Sequence, residues 1–429
     1  MVFNLRTSSF TESDEDDPTP PESFSLKEIQ IATHYFSSKN SLGKDEFGKV
    51  YQDNPTPPKS FSLQEIQIAT HNFSSKNFWG KGEFGEVYRG CLADGSLVAV
   101  KRGSFANRWR RKQFKAEIQV GSTVSAHPNV SCLRGFCRTE KEFLLVYPLM
   151  INKNLSYHLR KRPDRSTRPL DWVTRKRIAL GVARGLAHLH DQGNVKIIHH
   201  NVCPLNISLN TQFEAVIGGF EFATIMHDGN AKEGTIQWRR LTPPERFSSS
   251  SRGEDLADSD SYSPTYHLHE DVYVDGISIC GTLGFIAPEC YYSVKRTLKN
   301  DVFAYGRLLL VFILGQPFFE LNMLASEKNL SLKERIGNLI SKNELGRVID
   351  PNLQGNYVEE EARQLVRLAL LCADDNPSVR PKMSEVVKMI ENPTLGQDPS
   401  RRSNWSGSEY DSTPYYSFPP SPSLSMEIR

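Results

Sequence analysis

The hydrophobic pattern divides the chain into a strand-rich part followed by a helical part. Residues 97–100 (LVAV) form an apolar run typical of a strand, and a helical stretch follows it through Glu117. From Asp171 onward the pattern is mostly helical, and residues 178–190 (IALGVARGLAHLH) place apolar side chains at three- and four-residue steps. This spacing predicts a core helix over residues 178–190.

Three segments lack such a pattern. Residues 226–280 contain FSSSSRGEDLADSDSYSPTYH, which is too rich in Ser and Asp to bury much surface, so a mobile loop is expected there. The end of the chain, residues 393–429, is dominated by Ser, Pro and Tyr without a helical or strand period. We expect this tail and the first 22 residues to be disordered.

An internal repeat lies near the start of the chain. Residues 18–51 recur at residues 55–88 with only a handful of differences. Two copies make a tandem partial duplication, because a solenoid needs about three or more units to bury a continuous core. The first copy breaks off at Asp53, so residues 23–54 are predicted to be a partial duplicate that packs poorly. Only the second copy begins a complete domain.

Composition narrows the class of protein. A chain of 429 residues fits one large domain plus tails, and a net charge of +2 gives no reason to expect nucleic acid as a partner. Seven Cys without a C-x-x-C pair suit a reducing compartment, which favours a cytoplasmic location. The longest apolar run, residues 308–314, is far below the roughly 18 residues that span a bilayer, so no integral membrane segment is expected.

A glycine-rich motif opens the second copy. Gly80, Gly82, Gly85 and Val87 fit the pattern G-x-G-x-x-G-x-V, in which missing side chains let backbone N–H groups approach nucleotide phosphates. Alone, this motif is weak evidence, because an ordinary glycine turn can show the same pattern.

Two charged residues follow the glycine motif at informative spacing. Lys101 ends the run V-A-V-K, which also contains Ala99, and would hold the α- and β-phosphates. Glu117 in FKAEIQV would pair with that lysine. The order and spacing of these groups predict a nucleotide site that also includes Ala99.

Motifs further along the chain agree with this prediction, and together they support a family resemblance. Residues 287–289 (APE), 301–306 (DVFAYG) and 376–381 (NPSVRP) resemble the end of a kinase activation segment, the central C-lobe helix and a late arginine that pairs with the APE glutamate. The segments FSLQEIQIATHNFSSKN, DGSLVAVKR and RPKMSEVVKMI are similar to plant leucine-rich-repeat receptor kinases, close to the somatic-embryogenesis receptor kinases.

The resemblance covers roughly residues 60–392 and implies an α+β, two-lobed protein-kinase fold. A small β-rich N-lobe is expected over residues 55–149 and a large helical C-lobe over residues 150–392. The C-lobe would carry an enlarged activation segment at about residues 226–280.

The catalytic loop departs from the family pattern H-R-D-V-K-x-x-N. Residues 199–206 read HHNVCPLN, which places Asn201 where the family has its base and Cys203 where it has a lysine. An amide cannot accept a proton at neutral pH, and a cysteine carries no fixed positive charge. Asn206 is the residual metal ligand.

The magnesium motif D-F-G departs as well, because it reads Gly219-Phe220-Glu221. Gly219 therefore replaces the chelating carboxylate, and a glycine offers no side-chain oxygen to a hard cation. Glu221 lies two residues further on and would be expected to substitute only after a backbone rearrangement.

These departures imply an inactive receptor-like kinase, a pseudokinase, that acts as a scaffold or allosteric partner in plant receptor-kinase signalling. ATP could still bind, whereas Mg²⁺ has lost its main ligand. The expected partners are receptor-like kinases or their substrates, and the expected location is the cytoplasm or, through a receptor partner, the plasma membrane. The expectation thus leans away from an enzyme.

Three other interpretations stay open. The chain could be an active Ser/Thr kinase that holds metal through Glu221 or Asn206, or a nucleotide-gated binding module without turnover. The duplication and the long polar segment also fit a degenerate copy of a kinase gene.

Overall fold

The computed structural model describes residues 2–3, 41–45, 48–52, 57–82, 85–104, 108–159, 169–192, 195–227, 229–241, 264–276, 279–316 and 332–392. The strands in these ranges are β1 Val2–Phe3, β2 Ser41–Asp45, β3 Gly48–Gln52, β4 Lys59–Ser60, β5 Phe78–Lys81, β6 Glu86–Cys91, β7 Leu97–Ser104, β8 Gly135–Arg138, β9 Glu142–Pro148, β10 Lys196–Ile198, β11 Ile207–Leu209, β12 Ala215–Ile217, β13 Thr224–Met226, β14 Lys232–Leu241, β15 Pro264–Asp275 and β16 Lys295–Arg296. The α-helices are α1 Leu63–Thr70, α2 Arg108–Thr123, α3 Leu155–Leu159, α4 Trp172–His190, α5 Leu298–Leu314, α6 Leu332–Ser341, α7 Glu359–Cys372 and α8 Met383–Glu391.

The N-lobe is a six-stranded sheet with the order β4-β8-β9-β7-β6-β5. Its central strand β9 is apolar on both faces, since Leu144 and Val146 pack with Ile66 of α1 while Phe143 and Leu145 pack with Phe114 of α2. A strand covered on both sides reads as a continuous apolar run instead of an alternating one. The β-rich N-lobe predicted from the sequence is therefore present.

Helix α1 is fixed at both ends by local contacts. The Ser62 hydroxyl accepts a hydrogen bond from the Glu65 backbone N–H, and the Glu65 carboxylate accepts one from the Ser62 N–H at 2.7 Å. This capping box satisfies two donors that a helix start leaves open. The helix ends at His71 in a left-handed conformation, and its buried face carries Ile66 and Ala69.

The two copies of the repeat form hairpins with the same backbone register. In the second copy Gly80 pairs with Val87 after a register shift, and in the first copy Gly43 pairs with Val50 after the same shift. The first-copy hairpin pairs with β1 in a separate three-stranded sheet, whereas the second copy belongs to the six-stranded sheet. The second copy is thus the one that starts the N-lobe.

The differences between the copies fall outside the core of the N-lobe. Seven of 34 positions differ between residues 18–51 and 55–88, and none of the seven is buried in the second copy. At every position that is buried in the second copy, the first copy therefore has the same amino acid, and Ile29 is the equivalent of Ile66.

The C-lobe is built around helices α4, α5 and α7, as the helical pattern predicted. Nearly the whole of α5 is buried, including the apolar run of residues 308–314. Behind it, Arg380 and Glu289 form a bidentate ion pair with N–O distances of 2.7 and 2.8 Å, and both side chains are almost fully buried. Asn300 adds a third contact by donating to Glu289. The late arginine and the APE glutamate are joined as the resemblance implied.

The polar segment of residues 226–280 is not the plain loop expected from its composition. Strands β14 and β15 pair antiparallel over ten residues each, from Lys232 opposite Tyr273 to Leu241 opposite Pro264. The expectation was wrong for residues 232–241 and 264–275, because composition was averaged over the whole segment, which hid short alternations such as Y-H-L at residues 266–268. Residues 242–263, which carry most of the Ser and Asp, lie outside the described residues. The base of this hairpin is anchored by Val274, which is buried against Ile198 and Met226.

Some expectations concern residues outside the described ranges. These are the disorder expected in the first 22 residues beyond β1, the packing of residues 23–40 and the tail of residues 393–429. Among the helices in the described part of the chain, none combines the length and the apolar character that crossing a bilayer requires.

The packing of the second copy in the N-lobe core can be tested with a matched pair of substitutions. Ile66 is fully buried, so Ile66→Ala is expected to lower the free energy of unfolding by roughly 2–5 kcal/mol through lost burial and a cavity. Ile29→Ala changes the equivalent residue of the first copy and should have an effect below about 0.5 kcal/mol. Denaturant unfolding of both variants measures the difference. Equal losses would show that the first copy contributes to the core.

Candidate functional site

A cleft of about 520 Å³ separates the N-lobe sheet from strands β11 and β12 of the C-lobe. Its size lies within the range of about 300–1,000 Å³ that small-molecule sites show. The residues predicted from the sequence that line it are Gly80, Gly82, Gly85, Val87, Ala99, Lys101, Asn201, Asn206 and Gly219. Glu117 is the one predicted residue that lies behind the wall, where it contacts Lys101.

The glycine loop forms the roof of the cleft, and packing requires glycine at only some of its positions. A Cβ on Gly85 would lie 2.0 Å from the Arg102 carbonyl oxygen, so the fold itself requires glycine at this position. Among the described residues, a Cβ on Gly80 or Gly82 would meet nothing within 4 Å, so packing does not require glycine at these two positions. Both glycines line the cleft, as a loop that covers a ligand would need.

Lys101 forms the inner end of the cleft. Its Nζ lies 3.2 Å from Glu117 Oε1, and the buried Glu117 also accepts a hydrogen bond from the Tyr147 hydroxyl. Burial lowers the pKa of Lys101, but the negative charges of Glu117 and Glu221 outweigh it, so the pKa lies above its usual value. The Lys101 side chain remains 25% exposed and faces the cleft.

Two aromatic side chains and a lysine line the outer end of the cleft. Lys153 Nζ lies 5.3 Å from the ring centre of Trp79 in the N-lobe and 4.4 Å from that of Tyr157 in the C-lobe. This cation–π bridge spans the mouth between the lobes. Sequence reasoning missed it, because nothing in the spacing of residues 79, 153 and 157 signals a contact. The cleft is also lined by Ser208.

The catalytic-type loop is held by a buried carboxylate. Asp301 Oδ2 accepts the His199 N–H at 2.7 Å, and Asp301 Oδ1 accepts the His200 N–H at 2.9 Å. His190 Nε2 lies 3.0 Å from the same carboxylate. These contacts fix the backbone that presents Asn201 to the cleft.

Asn201 occupies the position that the resemblance assigns to the base, and both ends of its amide are engaged. Its Oδ1 accepts a hydrogen bond from the Thr282 hydroxyl at 2.8 Å, and its Nδ2 donates to Glu221 Oε1 at 3.3 Å. Cys203, at the lysine position, is buried and lies 3.3 Å from the same hydroxyl. Burial raises the pKa of the Cys203 thiol, so this position carries no charge at neutral pH.

Gly219 leaves a space that another side chain fills. Its φ of +78° is strained for other residues, and a Cβ at this position would lie 2.3 Å from Asn206 Oδ1. Asn206 is held there by a 2.9 Å hydrogen bond from its Nδ2 to the Asn201 carbonyl. A carboxylate at position 219 does not fit this arrangement unless Asn206 moves. Mg²⁺ therefore cannot be held at this point in the way that the resemblance implies.

Glu221 is the carboxylate that the cleft does contain. It lines the cleft while being only 6% exposed, and its carboxylate lies beside the Asn201 amide. Phe220 packs on the His199 ring at 5.1 Å between centres, with Gly219 preceding it in a left-handed turn. The expected rearrangement is thus not needed for Glu221 to reach the cleft. Residue spacing could not predict this turn, which decides where the side chain at position 221 points.

Comparisons with known proteins find similarity to protein kinases. A family model described as "Protein kinase domain" matches residues 73–270. A probable LRR receptor-like serine/threonine-protein kinase of Arabidopsis thaliana is 37% identical over 376 residues, which are 87% of this chain and 48% of the relative. The LRR receptor kinase SERK2 of Oryza sativa subsp. japonica is 37% identical with the same coverage. The chain spans about half the length of these curated relatives.

The environment of His200 predicts a loss of stability in acid. Burial is the largest of the effects that lower the pKa of His200 to about 4; Arg296 and His199 add to it, and Asp301 opposes it. In the unfolded chain the pKa of a His is about 6.5, so between about pH 6.5 and 4 this residue is protonated in the unfolded state and neutral in the folded state. The free energy of unfolding therefore falls as the pH drops from about 6.5 towards 4.

Denaturant unfolding at about pH 7 and about pH 4.5 would measure this loss. His200→Gln should show a smaller decrease than the wild type, because it removes one of the groups that must stay neutral. His227→Gln changes an exposed histidine and serves as the control. The same decrease in His200→Gln as in the wild type would contradict the assignment.

Proposed function

Because the chain carries a protein kinase domain of the plant receptor-like family, we propose that it is a pseudokinase that binds a nucleotide without transferring its phosphate. Its role would be that of a scaffold or allosteric partner in receptor-kinase signalling. The observation that carries this proposal is the Asn201 amide, which stands at the base position with both of its polar ends hydrogen bonded.

Three chemical losses coincide at this site. A positioned general base contributes about 10² to 10⁴ to a rate, and Asn201 cannot take a proton. Cys203 cannot stabilise charge on a transferring phosphoryl group, and Gly219 offers no side-chain oxygen to the bridging metal on which phosphoryl transfer depends. An enzyme that lost one of these groups could retain some activity, but the three losses together support an inactive protein.

The parts that hold a nucleotide are kept. Gly80 and Gly82 form the roof of the cleft. Lys101, which pairs with Glu117 at 3.2 Å, forms its inner end. Apolar walls are provided by Val87, Ala99 and other lining residues. ATP or ADP is therefore the ligand class that we assign to the cleft.

The proposed partners are receptor-like kinases or their substrates. The stretch that follows Thr282 exposes large apolar side chains, among them Leu283 at 82% and Val294 at 60%. Contiguous exposed apolar patches mark protein contact sites, and these side chains are the ones that we propose form such a patch. A partner bound here would place the protein in the cytoplasm, or at the plasma membrane if that partner is a receptor.

A second candidate function is that of an active Ser/Thr kinase with unusual base and metal residues. The placement of Glu221 in the cleft favours it, since this side chain restores a carboxylate to the site. Cys203 argues against it, because no lysine replaces the lost positive charge beside Thr282.

The two candidates are separated by a phosphotransfer assay and a thermal-stability assay on the same preparation. We expect ATP or ADP to raise the stability of the full chain, by about 2.7 kcal/mol at a ligand concentration of 100 times Kd, with no transfer to protein or peptide substrates. Lys101→Met should abolish the stabilisation. Magnesium-dependent transfer that disappears in Lys101→Met would overturn the pseudokinase proposal.

A further inference from the structure

We propose that Lys153 latches the two lobes together at the mouth of the cleft, through its contacts with the Trp79 and Tyr157 rings. The mouth then opens only when the Lys153 ammonium leaves the Trp79 indole, so this contact sets how often the interior of the cleft is accessible. The proposal concerns access to the cleft, and it holds whether or not the cleft binds a nucleotide.

The geometry of the bridge is the first argument. Lys153 Nζ lies 5.3 Å from the centre of the Trp79 ring and 4.4 Å from that of the Tyr157 ring. Both distances are within the roughly 6 Å over which an aromatic face attracts a cation. Trp79 belongs to strand β5 of the N-lobe, whereas Lys153 and Tyr157 belong to the C-lobe. Separation of the lobes must therefore break the contact between Lys153 and Trp79.

The position of Trp79 in its strand is the second argument. Phe78 pairs with Tyr88 and Gly80 pairs with Val87, so Trp79 is one extra residue in β5 and forms a β-bulge. A bulge bends its strand and changes the direction in which a side chain points, and bulges are common beside functional sites. Strand β5 is also the edge of the six-stranded sheet. A bulge at this edge accounts for an indole that reaches the mouth of the cleft.

The backbone of Lys153 is the third argument. Its φ of +58° lies in the left-handed region, which residues with a side chain rarely adopt. The Lys153 N–H donates to the Met150 carbonyl at 3.1 Å, and the Lys153 carbonyl accepts the Leu209 N–H at 2.7 Å. Such a conformation persists only where the surrounding structure fixes it, and it is concentrated at functional sites. The base of the Lys153 side chain is thus fixed in the C-lobe.

The first copy of the repeat shows which side chain the bridge requires. Its register shift lies between Ser41 and Gly43, and Leu42 takes the place of Trp79. A leucine has no π-system and cannot attract the Lys153 ammonium in this way. The same backbone register therefore accepts a residue that cannot form the latch. Trp79→Leu removes the latch with a substitution that the repeat itself contains.

The strength of the contact suits a latch that can open. A cation–π contact changes an equilibrium constant by about two-fold at exposed sites and by about thirty-fold when it is desolvated. The Lys153, Trp79 and Tyr157 side chains are all half-buried, so the effect lies between these limits. A closed cleft is thus favoured, while an open population remains.

The contact is tested with a double-mutant cycle in denaturant unfolding of the full chain. Lys153→Asn removes the cation but tolerates the left-handed φ. Trp79→Leu and Lys153→Asn should show a coupling of about two- to thirty-fold in the unfolding equilibrium constant. The control is Phe78→Ser, which introduces the residue found at Ser41 of the first copy. Its effect should combine with that of Lys153→Asn independently, to within about two-fold.

Opening of the cleft is measured by the distance between spin labels on the two lobes. The labels are placed at Glu140→Cys in the N-lobe and Val358→Cys in the C-lobe, where both side chains are exposed. The thiols that are not buried are replaced by Ser beforehand, and these are Cys91, Cys132 and Cys280. Lys153→Asn should raise the share of longer distances at least about two-fold over the wild type. Lys153→Arg keeps a cation at this position and should retain the wild-type distribution.

Both measurements can contradict the proposal. Independent effects of Trp79→Leu and Lys153→Asn would show that the contact contributes nothing. A coupling accompanied by an unchanged distance distribution in Lys153→Asn would show that the contact stabilises the fold without controlling opening, and the latch would be wrong. Should Trp79→Leu fail to fold, the distances in Lys153→Asn and Lys153→Arg decide alone. Equal opening in these two variants would refute a role for the cation.

Discussion

The contact on which the site depends is the carboxylate of Asp301 below the catalytic-type loop. It is 1% exposed and accepts the N–H groups of His199 and His200 while contacting His190. Burial acts to raise the pKa of Asp301. The His190 hydrogen bond and the neighbouring histidines together outweigh burial, so the pKa lies below its usual value and the group stays charged. Because the donors are the backbone N–H groups of His199 and His200, these two contacts do not involve the side chains of Asn201 and Cys203.

The contacts of Asp301 with the loop are thus independent of the side chains at the catalytic positions 201 and 203. The Glu289–Arg380 pair holds the end of the activation segment in a similar way, through a buried bidentate ion pair whose two residues do not line the cleft. Removing one partner of such a buried pair typically costs about 3–5 kcal/mol, whereas Asn201, Cys203 and Gly219 do not contribute to these two contacts. The side chains at these three positions can therefore differ from the family pattern while both contacts remain.

The sequence predicted the parts of this structure that local spacing or a buried period determines. The glycine loop, Lys101 with Glu117 and the helical C-lobe follow from residue types at fixed distances along the chain, and the kinase resemblance supplied their arrangement. Glu221 could not be placed in this way, because its direction depends on the left-handed turn at Gly219. The Trp79–Lys153 contact and the β14–β15 hairpin depend on distant pairing and on short alternations within a polar segment, which composition alone conceals.

The neighbours of the replaced residues argue that no single reversion would rebuild the usual site. An aspartate at position 201 would meet Glu221 at the distance of the present hydrogen bond. An aspartate at position 219 would require a strained φ and would displace the Asn206 amide. A lysine at position 203 would bury an ammonium group where a thiol is 1% exposed. Each position that departs from the family pattern is thus matched to its present neighbours, and the carboxylate that lines the cleft belongs to residue 221.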